Sequence, residues 1–419
     1  MAARTPGPGN LLARGLGSLM AAGARAASAG AETAATLSAL RGESPADELA
    51  VARSPGFRQA VGAAQAWSKG LPSLAPESVR CRRVQVASHM DALEVAALGA
   101  AERRVVLYFH GGAHCVGSAA THAELVGRMS AATKARFLAV NYRMAPQNPF
   151  PAGLEDALAA LRWTRDNYPG ASVAIAGDSA GGNLAFALLV KLAQLGEEQP
   201  CACVGLSPWL LLDLEWIPSV RREHRSALNT RWGGDVITAM ASVVQKADIT
   251  AAMREFTAGK MHDVFAAQYF QDHPASDPLV SPLLASEDLA RRFPPILIHA
   301  SLEEPLSADA REMSALCERT GVPVQLELFP ETAHVFQMSP LKYPEATFDS
   351  LARIGVFLDA LWEAPAALQA AVPPLRSYTE SELMGFSASE LRSILAARHL
   401  SSTGCLEKKD LVERILAAL

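Results

Sequence analysis

The sequence predicts an α/β fold in which a mostly parallel β-sheet is covered by helices on both faces. Short, uninterrupted apolar runs recur between residues 80 and 362, as expected for strands buried on both faces. Stretches with apolar residues at helical spacing separate these runs. Parallel strands need helical crossovers, so the alternation indicates one large α/β domain.

The strands and helices are predicted in order along this region. The apolar runs that predict strands are Val105–Phe109, Arg136–Tyr142, Val173–Ala176, Ala202–Leu206, Pro295–Ala300 and Val324–Phe329. The stretches that predict helices are Ala120–Thr133, Ala157–Trp163, Ala180–Leu195 and Ala310–Arg319. Residues 32–75 and 212–275 are also helical in pattern. We expect them to form a cap over the sheet within a domain of residues 32–362, and completion of its core is the alternative.

The composition excludes several classes of protein. The 419 residues are 50% apolar and 19% charged, with a net charge of −5, which gives no basic surface for nucleic acid. No apolar run reaches the roughly 18 residues of a membrane-spanning helix. The six cysteines form no CxxC pair and have the spacing of no zinc site, so we expect no metal.

Residues 1–31 contain arginines but no acidic residue among many Ala, Gly and Ser. This composition is typical of a transit peptide, and equally of a flexible arm that stays on the protein. The cytoplasm is the expected location, with a mitochondrion or plastid as the alternative.

A serine nucleophile is predicted at Ser179. It lies in the G-x-S-x-G sequence Gly177–Gly181, between the predicted strand that ends at Ala176 and a predicted helix. The G-x-S-x-G motif alone is a weak signal. Between a strand and a helix, however, it is typical of a tight turn that holds a serine above the sheet. The glycines suit its crowded backbone, and the helix start presents N–H groups to developing negative charge.

Backbone donors for such a charge are predicted in the loop after Phe109. His110 is followed there by Gly111 and Gly112, and glycine N–H groups can donate to an oxyanion without side-chain obstruction. We predict an oxyanion hole made by the amides of Gly111, Gly112 and Ala180.

The predicted base is His334, which lies just after the last predicted strand. An acid should precede it, in the loop Ser301–Leu306 that follows the strand ending at Ala300. The chain order is then serine, acid and histidine, which is the order found where a G-x-S-x-G turn joins a strand to a helix in an α/β sheet. The histidine would accept the serine proton, and the carboxylate would orient the imidazole.

With these residues placed, residues 80–362 resemble the hormone-sensitive-lipase family of α/β-hydrolases. The resemblance rests on the segments His110–Ser118, Asn141–Pro146, Phe150–Asp156, Gly177–Asn183, Asp277–Pro282 and His334–Phe336. It implies an α/β-hydrolase fold with an eight-stranded sheet and a helical cap. It also implies cleavage of short- and medium-chain esters, lactones and some amides, without metal or cofactor.

The sequence departs from the family pattern at three positions. Ala113 stands where a third glycine is usual, and His114 replaces an aromatic residue. The family usually has an aspartate just before Pro-Leu, and here that residue is Glu304. We therefore predict Glu304 as the acid, with Glu303 and Asp309 as alternatives.

The composition changes again after Trp362. Residues 363–376 are rich in Ala and Pro and predict a linker, and residues 377–419 resemble a SAP-like module of two short helices. Its basic and acidic residues nearly balance, which favours a protein partner or a stabilising role over nucleic acid.

The expected function is hydrolysis of a carboxylic ester by a Ser–His–acid triad. Lactone or N-acyl amide hydrolysis by the same triad is an alternative. A non-catalytic small-molecule receptor is another alternative, since plant gibberellin receptors resemble this family. Those receptors lack the catalytic histidine, whereas His334 is present here, which disfavours this alternative. The last alternative is a scaffold or nucleic-acid-associated protein, made so by its C-terminal module, with incidental hydrolase ancestry.

Overall fold

The computed structural model describes residues 79–212, 265–363, 384 and 408–416. The predicted N-terminal arm, the first cap segment (residues 32–75), most of the second (residues 212–275) and the linker beyond residue 363 lie outside these residues. So does most of the C-terminal module, of which the predicted second helix is present as residues 408–416.

The described core is an eight-stranded sheet, and the predicted α/β fold is confirmed. Its strands are β1 (Val79–Ala87), β2 (Met90–Ala97), β3 (Ala101–Phe109), β4 (Ala135–Val140), β5 (Ser172–Asp178), β6 (Cys203–Leu206), β7 (Ile296–Ser301) and β8 (Val324–Phe329). The spatial order is β1-β2-β4-β3-β5-β6-β7-β8. Pairing is antiparallel from β1 to β4 through β2, and parallel throughout β4-β3-β5-β6-β7-β8.

Helices cover both faces of this sheet. They are α1 (Ala123–Thr133), α2 (Ala152–Asn167), α3 (Ser179–Leu195), α4 (Glu287–Ala290), α5 (Ser307–Thr320), α6 (Pro344–Glu363) and α7 (Lys408–Leu416), with 3-10 turns at Pro282–Leu284 and Phe336–Met338. Apolar side chains of α2, α3 and α5 pack on one face, and those of α1 and α6 on the other. Burial of the sheet on both sides explains its continuous apolar strand sequences. None of the helices in the described part combines the length and apolar character needed to span a membrane.

The parallel strands bring distant loops to one edge. The carboxyl ends of β3, β5, β6, β7 and β8 lie side by side, because these strands run in the same direction. Open α/β sheets bind ligands at this edge. A third apolar cluster, which includes Trp209, Phe265 and Tyr269, packs there around Ala180.

Candidate active site

Ser179 lies on a strained turn between β5 and α3. Its φ is +51°, a left-handed conformation that non-glycine residues rarely adopt. The turn also requires glycine nearby, since a Cβ on Gly177 would lie 2.3 Å from the Gly181 carbonyl oxygen. A Cβ on Gly181 would lie 2.0 Å from the Phe109 carbonyl oxygen. The turn therefore holds the serine at the carboxyl edge of the sheet.

The structure brings Ser179, His334 and Glu304 together. The Ser179 hydroxyl donates to His334 Nε2 across 3.0 Å, and His334 Nδ1 donates to Glu304 Oε2 across 2.5 Å. The His334 side chain is 8% exposed and that of Glu304 is 2% exposed, so bulk water scarcely competes for these contacts. The other Glu304 oxygen accepts the Ser301 N–H at 2.8 Å, which fixes the carboxylate.

The two alternative acids make other contacts. Asp309 is buried in α5, where Oδ2 accepts the backbone N–H groups of Leu210 and Leu211 at 2.9 and 3.0 Å. Glu303 accepts the Glu331 N–H at 3.1 Å and the Ser301 hydroxyl at 3.2 Å. Both carboxylates hold loops of this edge, and Glu304 is the acid whose contact with His334 the structure records.

One predicted oxyanion donor in the loop after β3, the Gly111 N–H, is already hydrogen-bonded. The Gly111 N–H donates to Asp178 Oδ1 at 2.9 Å, so this amide is engaged within the protein. The amides of Gly112, Ala113 and Ala180 have no hydrogen-bond acceptor among the residues that the structure describes. In the loop after β3, the N–H groups without an acceptor are therefore those of Gly112 and Ala113, and Gly111 of the predicted set is replaced.

The conformation of this loop depends on glycine and on packing. Gly112 has φ +122°, and a Cβ there would lie 2.0 Å from the Val116 carbonyl oxygen. Ala113 and His114 also have positive φ, of +53° and +59°. The His114 ring is buried and stacks on Tyr269, with centroids 3.7 Å apart and an 8° angle between the rings. Burial lowers the pKa of His114 to about 3, so the ring is neutral near pH 7.

Further contacts that the sequence did not indicate support the site. Ser207, just after β6, accepts the Val335 N–H at 3.1 Å beside the predicted base. The Ser301 hydroxyl donates to the Thr332 carbonyl at 2.9 Å in the same loop. No spacing of residue types predicts them, because the partners come from different strands.

Comparisons with known proteins agree with this architecture. The family profile for the alpha/beta hydrolase fold matches residues 106–338. An acetyl-hydrolase of Streptomyces hygroscopicus is 34% identical over 243 residues, which are 58% of this chain and 71% of that protein. Esterase LipU of Mycobacterium tuberculosis is 34% identical over 257 residues, 61% of this chain and 77% of that protein. A crystal structure of a hormone-sensitive lipase from a metagenome library has a TM-score of 0.56 and 29% identity, and the match covers 73% of this chain and 92% of that one.

Proposed function

This chain belongs to the alpha/beta hydrolase fold family and is a carboxylesterase-like hydrolase, and on that premise we propose that it cleaves esters through an acyl-enzyme on Ser179. The observation that carries this proposal is the pair of hydrogen bonds of His334, 3.0 Å to the Ser179 hydroxyl and 2.5 Å to Glu304. Nucleophile, base and orienting acid need this connectivity.

In the first half of the reaction, His334 Nε2 accepts the Ser179 proton as Oγ attacks the ester carbonyl carbon. The resulting imidazolium is stabilised by the Glu304 carboxylate, which also fixes the tautomer of the ring. The tetrahedral oxyanion accepts hydrogen bonds from the amides of Gly112, Ala113 and Ala180. Preorganised N–H donors of this kind stabilise the transition state because they need no reorientation.

In the second half, His334 returns its proton to the leaving alcohol oxygen, and the carbonyl re-forms as the acyl-enzyme. Water then enters the position that the alcohol has left, and His334 removes its proton as the water oxygen attacks the acyl carbon. Collapse of the second tetrahedral intermediate returns the proton to Ser179 Oγ and releases the carboxylic acid. No metal or cofactor takes part in this proposed sequence.

The test is a panel of p-nitrophenyl esters of rising acyl length, measured with the wild type and Ser179→Ala. We expect the substitution to lower kcat on the order of 10⁵- to 10⁶-fold, because the acyl-enzyme cannot form. Ser286→Ala, which removes a serine hydroxyl at the start of α4, serves as the matched control and should retain wild-type kcat. Equal turnover by Ser179→Ala and the wild type would refute the mechanism.

Two further proposals concern the segments outside the described residues. Residues 377–419 are proposed to contact a protein partner, and the cytoplasm is the proposed location, with an organelle as the alternative. N-terminal sequencing of the native protein tests the location, since removal of residues 1–31 would favour the organelle. Salt-dependent DNA binding by the full chain, lost when residues 377–419 are deleted, would contradict the protein-partner proposal.

A further inference from the structure

A buried histidine–aspartate pair lies beneath the proposed oxyanion hole, outside the triad. It consists of His122, the residue before α1, and Asp178, the residue before Ser179. His122 Nε2 lies 3.4 Å from Asp178 Oδ2, and the two side chains are 7% and 3% exposed. An ion pair so shielded from water interacts more strongly than a surface pair, and either ion alone would be costly there.

Asp178 connects the loop after β3 (residues 110–114, the proposed oxyanion loop) to the turn that carries Ser179. Its Oδ1 accepts the Gly111 N–H at 2.9 Å and the Tyr108 hydroxyl at 2.6 Å, while Oδ2 faces His122. The fit is close, since a Cβ on Gly111 would lie 2.1 Å from Oδ2. Gly111 is covalently joined to Gly112, so the position of this carboxylate influences the direction of the proposed donor amides.

His122 has an oxygen acceptor facing each ring nitrogen. Nδ1 lies 3.2 Å from the Ser118 carbonyl oxygen and 2.9 Å from the Thr121 hydroxyl oxygen, and Nε2 faces Asp178. A carbonyl oxygen and a carboxylate can only accept. The Thr121 hydroxyl donates to the Ser118 carbonyl oxygen at 2.8 Å, so its proton is not directed at His122 Nδ1. The imidazolium form, with N–H groups on both nitrogens, satisfies both contacts of the ring, whereas a neutral ring has one N–H.

The surrounding charges favour the same form. Burial alone would lower the pKa of His122, but attraction to Asp178 and hydrogen bonds to Asp178 and Ser118 raise it above its usual value. Burial opposes ionisation of Asp178, yet His122 and the donors from Tyr108 and Gly111 lower its pKa. Among the residues that the structure describes, the other titratable groups that face the pair are Tyr108, Tyr142 and His110, whose ring centroid is 5.5 Å from that of His122.

We propose that the charged His122–Asp178 pair positions the oxyanion loop, so that efficient ester hydrolysis requires His122 to keep its proton. The proposal rests on the proposed function, which it deepens by adding a positioning residue. The sign follows from linkage: the raised pKa of His122 means that the contact is present in acid and is lost as the pH rises through that value. The wild type should therefore have an alkaline limb in kcat at a pH above about 6.5, the ordinary histidine value.

The kinetic test compares His122→Gln and Asp178→Asn with the wild type across pH. Both variants keep a hydrogen-bonding group at the position but remove the titrating charge pair. We expect kcat at neutral pH to fall about tenfold to a hundredfold, with KM nearly unchanged, because the donor amides are displaced. The alkaline limb should disappear in both. His89→Gln, which removes a His–Asp contact on Asp156 elsewhere in the fold, should keep the wild-type profile.

A second measurement does not depend on turnover. The ring nitrogens of ¹⁵N-labelled wild type report the protonation of each of its ten histidines, and His122→Gln identifies the signals of His122. We expect the imidazolium pattern at pH 7. A neutral pattern there would overturn the proposal, as would an alkaline limb that persists unchanged in both variants. If the wild type hydrolysed no ester, the proposed function would fail while the NMR result still decided the state of the pair.

Discussion

The two halves of the site are built by different means. Ser179 and the oxyanion loop are positioned by backbone, through positive φ angles and glycines that approach carbonyl oxygens closely. Glu304 and His334 lie on loops after β7 and β8, and side-chain hydrogen bonds such as those of Ser301 and Ser207 position these loops. The backbone half should therefore tolerate no added Cβ, and the side-chain half should tolerate changes that preserve its hydrogen bonds.

Among the substitutions that leave the Ser179 hydroxyl in place, the largest effect is expected in the side-chain half, at Glu304. Glu304→Gln keeps the size of the residue but removes the charge that stabilises the His334 imidazolium and favours the wrong tautomer. We expect kcat for a p-nitrophenyl ester to fall on the order of 10³- to 10⁴-fold. Glu304→Asp should recover part of the loss because it restores the charge.

The neighbouring Glu303 provides the matched control. Its carboxylate holds Glu331 and Ser301 instead of the His334 ring. Glu303→Gln should lower kcat by no more than about threefold, since one loop contact is weakened. The reverse result, with Glu303→Gln inactive and Glu304→Gln unaffected, would assign the acid to Glu303.

The next effect concerns the backbone half. Gly112→Ala places a Cβ 2.0 Å from the Val116 carbonyl oxygen, at a φ of +122°, so the loop must move. We expect kcat to fall on the order of 10²- to 10³-fold, as when an oxyanion donor is lost, with little change in KM.

Gly170→Ala separates conformational strain from catalysis. Gly170 also has positive φ, of +74°, but no atom lies within 4 Å of the added Cβ. It should cost about 1 kcal/mol of the free energy of unfolding and leave kcat at the wild-type level. If Gly112→Ala behaved in the same way, the oxyanion loop would not need its present backbone for turnover.

The burial of each strand explains how much of the fold the sequence could predict. The predicted parallel strands β3 to β8 are confirmed, because burial on both faces imposes continuous apolar runs. The hairpin of β1 and β2 was not predicted, although it extends the sheet. β1 is an edge strand with the sequence VRCRRVQVA, and its charged, largely exposed side chains give no apolar run.

The sequence could likewise predict only part of the candidate site. Ser179, Glu304 and His334 follow strands at recognisable positions, and the structure brings them together. The acceptor for the Gly111 amide was not predictable, because Asp178 belongs to β5, which becomes the neighbour of β3 only in the folded sheet. Ser207 and His122 give no local signal either. Their contacts depend on which strands become neighbours in the folded chain.

The buried ring of His114 should make the stability of the protein depend on pH. A buried neutral histidine binds its proton less readily in the folded protein, so acid favours the unfolded chain, whose histidine still titrates near 6.5. His114→Phe keeps a ring against Tyr269 but cannot titrate. Between pH 7 and pH 4 we expect the wild type to lose about 3 kcal/mol more free energy of unfolding than the variant. Urea titrations at both pH values measure this difference, and equal losses would contradict the burial of a neutral ring.

The smallest effect is expected at Ser207, whose hydroxyl accepts the buried Val335 N–H. Val335 has φ +47°, which is unfavourable for a β-branched residue, and it directly follows His334. Ser207→Ala leaves this N–H without its acceptor and releases the strained segment. We expect kcat to fall about three- to tenfold, with a loss of about 1–2 kcal/mol in stability.

Val335→Gly distinguishes strain from the lost hydrogen bond. Glycine adopts φ +47° without steric cost, so the conformation of the segment depends less on the hydrogen bond to Ser207. The double variant should therefore lose less kcat from Ser207→Ala than the wild-type background does. Strictly multiplicative losses would mean that Ser207 and Val335 act independently on the base, and that the strained backbone beside His334 is not held by this contact.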